Sequence, residues 1–133
     1  MALNVYKTSD LVDAYSKDGV YVDPIFSHLS VRFDGVDGQT RDAKLFMRND
    51  GSETAIAITV TPRDLDVGGE EVWLKLADTL AGLDSAVGGA ALGIPDLIIG
   101  AVHVFWIRCI VPESTPSELK QNLALRVQAQ VVA

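Results

Sequence analysis

A single cysteine in 133 residues excludes an intramolecular disulfide and any all-cysteine zinc site. Aromatics are scarce: four Phe, three Tyr and two Trp. Basic residues are outnumbered, 11 Lys and Arg against 18 Asp and Glu, for a net charge of −7. A broadly basic, phosphate-neutralising surface is excluded, so no nucleic-acid partner is expected. No long apolar run is uninterrupted. Ala86 to Val111 comes nearest, but Pro95, Asp96, His103 and Arg108 break it, as do Gly88, Gly89, Gly93 and Gly100. A carboxylate near a bilayer centre costs at least ~2.5 kcal/mol on insertion scales, so no membrane span is expected. The first twenty residues carry Asp10, Asp13 and Asp18 and lack the apolar stretch of a secretory signal. Disorder is excluded too, because it goes with low hydrophobicity and 48% of these residues are hydrophobic. What remains is one soluble domain with a core of its own.

What is present is alternation with period two. Leu123, Leu125, Val127, Ala129 and Val131 form one face of a C-terminal strand, with Arg126, Gln128 and Gln130 on the other. Leu29, Val31 and Phe33 alternate with Ser30, Arg32 and Asp34. Leu45 and Met47 alternate with Lys44, Phe46 and Arg48, and Ile56, Ile58 and Val60 with Ala55, Ala57, Thr59 and Thr61. Val72, Leu74 and Leu76 alternate with Glu71, Trp73 and Lys75. Ala101 to Val111 is apolar on both faces: Val102, Val104, Trp106 and Ile110 on one, Phe105, Ile107, Cys109 and Val111 on the other. An antiparallel strand of that kind is covered on both sides, and its second face points to an interface.

Turn residues fall between these strands. Asp34-Gly35, Asp37-Gly38 and Asn49-Asp50-Gly51 read as hairpin connections, since Gly and Asn tolerate positive φ. Pro112 and Pro116 end the long strand. The spacing, with no βαβ rhythm, predicts an all-β antiparallel sandwich of about six to eight strands. Two segments stand apart. Residues 1–23 read as an N-terminal arm or a short helix, the helix over Thr8 to Lys17, ahead of a sandwich spanning 24–133. Asp78 to Gly100 reads as a long, apolar, glycine-rich insertion, the kind of loop that carries function or meets a partner.

No constellation carries chemistry. Asp34 to Gly38 misses the spacing of a calcium loop, and Asp64, Asp66, Glu70 and Glu71 read as a solvated acidic loop. Six residues of strand between His103 and Cys109 span ~20 Å, too far for a nucleophile and its base. Ile94-Pro95 stands where a phosphate-binding loop needs Lys-Ser/Thr. No catalysis, cofactor or metal is expected. Of the tryptophans, Trp106 reads as core and Trp73 as the one exposed, available to a sugar ring or a protein partner.

Three stretches carry a resemblance. They are Leu29-Ser-Val-Arg-Phe-Asp34-Gly35 through Gly38-Gln-Thr, then Lys44-Leu-Phe-Met-Arg-Asn-Asp-Gly51, then Trp106-Ile-Arg-Cys-Ile-Val-Pro112 with Thr115-Pro116 before the last strand. Together they resemble the layout of small immunoglobulin-like β-sandwich proteins of tailed-phage particles: decoration, neck and tail components. The resemblance implies an immunoglobulin-like or jelly-roll-like sandwich and a virion location after assembly in the host cytoplasm. It also implies partners that are copies of the chain and other virion proteins. A surface adhesion or carbohydrate-binding module is the alternative. For a homo-oligomer the expected interface is Leu83, Val87, Leu92, Ile94, Leu97, Ile98 and Ile99 of the glycine-rich segment, with Trp73. These aliphatic groups would each contribute ~1.5–3 kcal/mol on full burial, and strand residues should already fill the interior.

Overall fold

Alternating apolar residues demand a partner layer, and here two antiparallel sheets supply it to each other. The computed structural model describes residues 3–6, 11, 14–17, 20–21, 39–64, 70–111 and 123–132. The strands are β1 (Leu3–Tyr6), β2 (Ala14–Lys17), β3 (Val20–Tyr21), β4 (Gln39–Asn49), β5 (Thr54–Asp64), β6 (Leu74–Ala77), β7 (Leu92–Ile94), β8 (Val102–Val111) and β9 (Leu123–Val132). Helix is confined, among the described residues, to two 3₁₀ turns, Glu70–Trp73 and Ala81–Asp84. One sheet runs β3-β2-β1-β4-β8-β6 and the other β7-β5-β9. All described pairings are antiparallel.

The inner faces of both sheets share one apolar cluster. Leu3, Val5, Leu45, Met47, Leu74, Leu76, Phe105, Ile107 and Cys109 come from the larger sheet. Ala55, Ile58, Val60, Ile94, Leu125 and Val127 come from the smaller one. The period-two faces of β4 and β9 are therefore placed as the alternation requires, with Leu45, Met47, Leu125 and Val127 inward; of the two apolar faces of β8, the one with Phe105, Ile107 and Cys109 points inward.

In β5 the alternation is offset. Ile56 pairs with Gln130 and Thr59 with Gln128, so two residues face one across a bulge, and Ala57 there has φ +51°. Ala55 before the bulge and Ile58 and Val60 after it are all buried, while Ile56 is only half-buried. The extra residue switches which parity faces the core. Pro62 follows on a stretch of β5 beyond its pairing with β7, where a missing donor is tolerated.

Three expectations are corrected. Asn49-Asp50-Gly51 does not close a hairpin: β4 and β5 lie in different sheets, so the turn is an arch from one layer to the other. A hairpin and an arch both reverse the chain and use the same turn residues; long-range pairing with β8 and β9 decides between them. Residues 14–17 are a strand and not the last turn of a helix. Residues 3–6 of the stretch read as an arm belong to the larger sheet, because β1 pairs with both β2 and β4 and buries Leu3 and Val5 completely. The strand read at Leu29 to Asp34, the acidic turn at Asp34 to Gly38 and most of the loop around Gly68-Gly69 lie outside the described residues.

The molecule has two ends. At the arch end β4 finishes, β5 and β8 begin and β9 finishes, since Arg48 pairs with Val102 and Thr54 with Val132. At the far end β4 begins and β8 finishes, with Gln39 opposite Val111, while β5 meets the start of β9, with Asp64 opposite Leu123.

Candidate functional site

The segment from Asp78 to Gly100 is a strap that laces one sheet to the other. From β6 it forms the Ala81–Asp84 turn, which packs on β6 and β8 and buries Leu83 completely. Asp84 there accepts from Arg108 Nη1 at 2.7 Å. The chain then crosses at the far end, where Gly89 N–H donates to the Leu74 carbonyl at 2.8 Å and takes φ +80°. Gly88 is forced by proximity: a Cβ there would lie 2.0 Å from the Val72 carbonyl oxygen. Beyond it, β7 pairs with Ile58–Val60 of β5, and Leu97 exchanges two backbone hydrogen bonds with Ala55, both 2.9 Å.

At the arch end the strap meets Asn49, 2% exposed and the only buried polar residue among those described. Its Nδ2 donates to the carbonyls of Glu53 (2.8 Å) and Leu97 (2.9 Å), and its Oδ1 accepts from Gly51 N–H at 3.0 Å. Its backbone is bonded as well, to Ala101 O at 3.1 Å and from Gly100 N–H at 2.8 Å. One side chain thus pins arch and strap together, and its polar atoms find partners inside the protein.

The interface expected on the strap divides accordingly. Leu83, Ile94 and Leu97 are buried within the subunit, and Leu92 is half-buried against the core. That part of the expectation is corrected: these side chains find their apolar surroundings in their own chain. Val87, Ile98 and Ile99 stay exposed, at 70%, 67% and 58%. Both tryptophans are half-buried, on opposite sides of the larger sheet. Trp73, expected to be exposed, sits in the first 3₁₀ turn and packs against the core. Trp106 lies on the outer face of β8, also half-buried. Both faces of β8 are apolar in sequence, so only its neighbours decide which one becomes the interior.

That outer face carries a mixed surface. Lys44 pairs with Trp106 and Phe46 with Val104 across β4 and β8. The Lys44 ammonium lies 5.6 Å from the Phe46 ring centre and 5.9 Å from that of Trp106, a cation over two rings. On one side Arg108 grips Asp42 through Nε (2.8 Å) and Nη2 (3.2 Å), and its hydrogen bonds with Asp42 and Asp84 hold its pKa above the ordinary arginine value. On the other, Asp50 accepts from Tyr6 Oη at 2.5 Å, from Asn4 Nδ2 at 2.6 Å and from Arg48 Nε. Burial pushes the Asp50 carboxyl up, but the hydrogen bonds from Tyr6, Arg48 and Asn4 outweigh it and hold it below its ordinary value. Arg48 also stacks over Tyr6 at 5.0 Å.

A third feature was only partly seen in the sequence: the exposed large aliphatic side chains, Leu80 excepted, gather at the two ends. Ile98, Ile99, Val102, Val131 and Val132 are 44–67% exposed at the arch end. Val72 (58%) and Val87 (70%) are neighbours at the far end, through the contact of Gly88 and Gly89 with Val72. The strap's aliphatic content was the available signal; only the fold sorts it into buried and exposed halves.

His103 and Cys109 stand near opposite ends of β8, opposite Met47 and Arg41 respectively. His103 Nε2 is 2.8 Å from Asp78 Oδ1, and Cys109 is buried in the core. No group of three or more His, Cys, Asp or Glu is placed to hold a metal among the described residues. None of the helices there is long and apolar enough to cross a membrane. Comparison with family models, curated proteins and solved structures returned no match.

Proposed function

We propose that this chain is a non-enzymatic structural component of a tailed-phage virion, a small immunoglobulin-like or jelly-roll-like sandwich that holds subunits together as capsid decoration, neck or tail piece. The observation that carries this reading is the placement of exposed aliphatic residues at both ends of a chain whose own strands already close its core. Large exposed apolar groups in a water-soluble protein find cover in a partner, and particle components bury such surface against copies of themselves or a shell. Mass spectrometry of purified virions from an infected host tests it. The chain is expected in stoichiometric copies; its absence from virions removes the reading.

One observation favours a second reading, a surface adhesion or carbohydrate-binding module. Trp106 and Phe46, both half-buried, lie side by side on the outer face of the larger sheet, flanked by the polar Asp42–Arg108 pair. Sugars stack on such rings and bond to such groups. A glycan array on which the wild type binds and Trp106→Ala does not would favour adhesion over virion structure.

A further inference from the structure

The arch contains an aspartyl–glycine bond, Asp50-Gly51, and such bonds are open to succinimide formation because glycine sets no side chain beside its own nitrogen. In that reaction the Gly51 backbone nitrogen attacks Cγ of the protonated Asp50 carboxyl. An N–C bond forms, and the carboxyl hydroxyl leaves as water with the proton from that nitrogen. Water then reopens the ring at either carbonyl. One opening restores aspartate; the other gives isoaspartate, which runs the chain through Cγ and lengthens the backbone by one carbon. The reaction requires a neutral carboxyl, freedom for it to swing toward the next residue, and an amide nitrogen free of other bonds.

The fold opposes all three. Tyr6 Oη at 2.5 Å and Asn4 Nδ2 at 2.6 Å donate to one carboxylate oxygen of Asp50, and Arg48 Nε donates to the other. Donors to a carboxylate favour its ionised form, which is a poor target for a nucleophile. The Gly51 N–H is held elsewhere, donating at 3.0 Å to Oδ1 of Asn49, the buried side chain that pins arch to strap. Arg48 and Asn49 are consecutive on β4, so they face opposite sides of the sheet. One anchors the electrophile outward and the other the nucleophile inward.

We propose that Asp50-Gly51 is a modification site controlled by the fold: closed while Tyr6, Asn4 and Arg48 hold the carboxylate and Asn49 holds the amide, open once that clamp is undone. The reaction needs no enzyme and no co-reactant but water. Its product disables the arch, because the extra backbone carbon shifts Gly51 N–H away from Asn49 and leaves a carboxylate on Cα in place of the gripped side chain. This property is independent of the structural role proposed above.

The full chain, incubated warm for days in buffer and in parallel in enough guanidinium chloride to unfold it, tests the proposal. Peptide mapping by mass spectrometry separates isoaspartate at residue 50 from that at the other Asp-Gly bonds, Asp18-Gly19, Asp34-Gly35 and Asp37-Gly38. The unfolded chain is expected to gain isoaspartate at residue 50 roughly a hundredfold faster than the native one, since more than one hydrogen bond to a charged group must break and each is worth about tenfold. Tyr6→Phe and Asn4→Ala each remove one donor and are expected to raise the native rate roughly tenfold while leaving the unfolded rate unchanged. Ile107→Val is the control for lost stability: it trims the core away from the arch and leaves the clamp whole, so its native rate is expected to match the wild type. Equal native and unfolded rates in the wild type overturn the proposal. So does an unchanged native rate in both clamp variants, or an Ile107→Val rate as high as theirs, which would make general unfolding the route.

Discussion

The chain passes between its sheets at three described places, from β4 to β5, from β6 to β7 and from β7 to β8, and the first two are held in opposite ways. At the arch, β4 hands over to β5 through Asn49, whose buried amide bonds Glu53, Leu97 and Gly51. At the strap, the crossing depends on a side chain that is missing, because Gly88 sits where the Val72 carbonyl leaves no room for Cβ. One crossing is fixed by added hydrogen bonds, the other by bare backbone contact. A change of layer takes backbone out of its ladder, and the orphaned groups need either a polar side chain or close approach of another strand.

Gly88→Ala should have the largest effect, because the obstacle is backbone and cannot rotate away. A loss of about 3 kcal/mol is expected, read as a lower urea midpoint at unchanged m value. Gly93→Ala, where no atom lies within 4 Å of the added carbon, should leave the midpoint nearly where it was and so confirm that space decides the case. Asn49→Leu should cost about 2–3 kcal/mol, since it leaves the Glu53 carbonyl and Gly51 N–H without their amide partner.

The rim of the arch should respond to acid. Because the folded Asp50 pKa is depressed, its stabilising contribution is present above the unfolded value of ~3.9 and is lost as pH falls through the folded one. Thermal melts taken down through the acid range should show a small loss of stability, damped by solvent at this exposed site, that Asp50→Asn does not show. Ala57→Gly is the smallest change and the one expected gain. Its φ of +51° strains an L-residue, so relief of up to about 1 kcal/mol should raise the urea midpoint.

Much of the fold was legible because burial follows the pleat. The inward sets of β4 and β9 and the all-β class can be read from alternation alone, whereas β8 is apolar on both faces and its inward set cannot. Three features resist that reading. A bulge at Ala57 shifts parity with no Gly, Pro or Asn to mark it. The Asn-Asp-Gly turn has the same composition whether the next strand pairs with the last or leaves for another layer. Trp73 and Trp106 each sit in apolar alternation, and only the packing of a second sheet separates core from surface. The candidate surface was less legible still: Leu83, Val87, Leu97 and Ile98 are alike in sequence, yet two are buried and two are exposed.

The strand order has a kinetic consequence. Among the described strands only β1–β2 and β2–β3 join neighbours along the chain; β4 waits for β8, and β5 for β9, each closing a span of dozens of residues before its ladder forms. Loop closure of that kind precedes the contacts that reward it, and chains so arranged fold in about milliseconds to seconds where helical bundles take microseconds. During that interval the apolar stripes of β5 and β8 have no layer above them, so dilution, slow synthesis or a holding chaperone should raise the yield of native protein more than any single stabilising substitution.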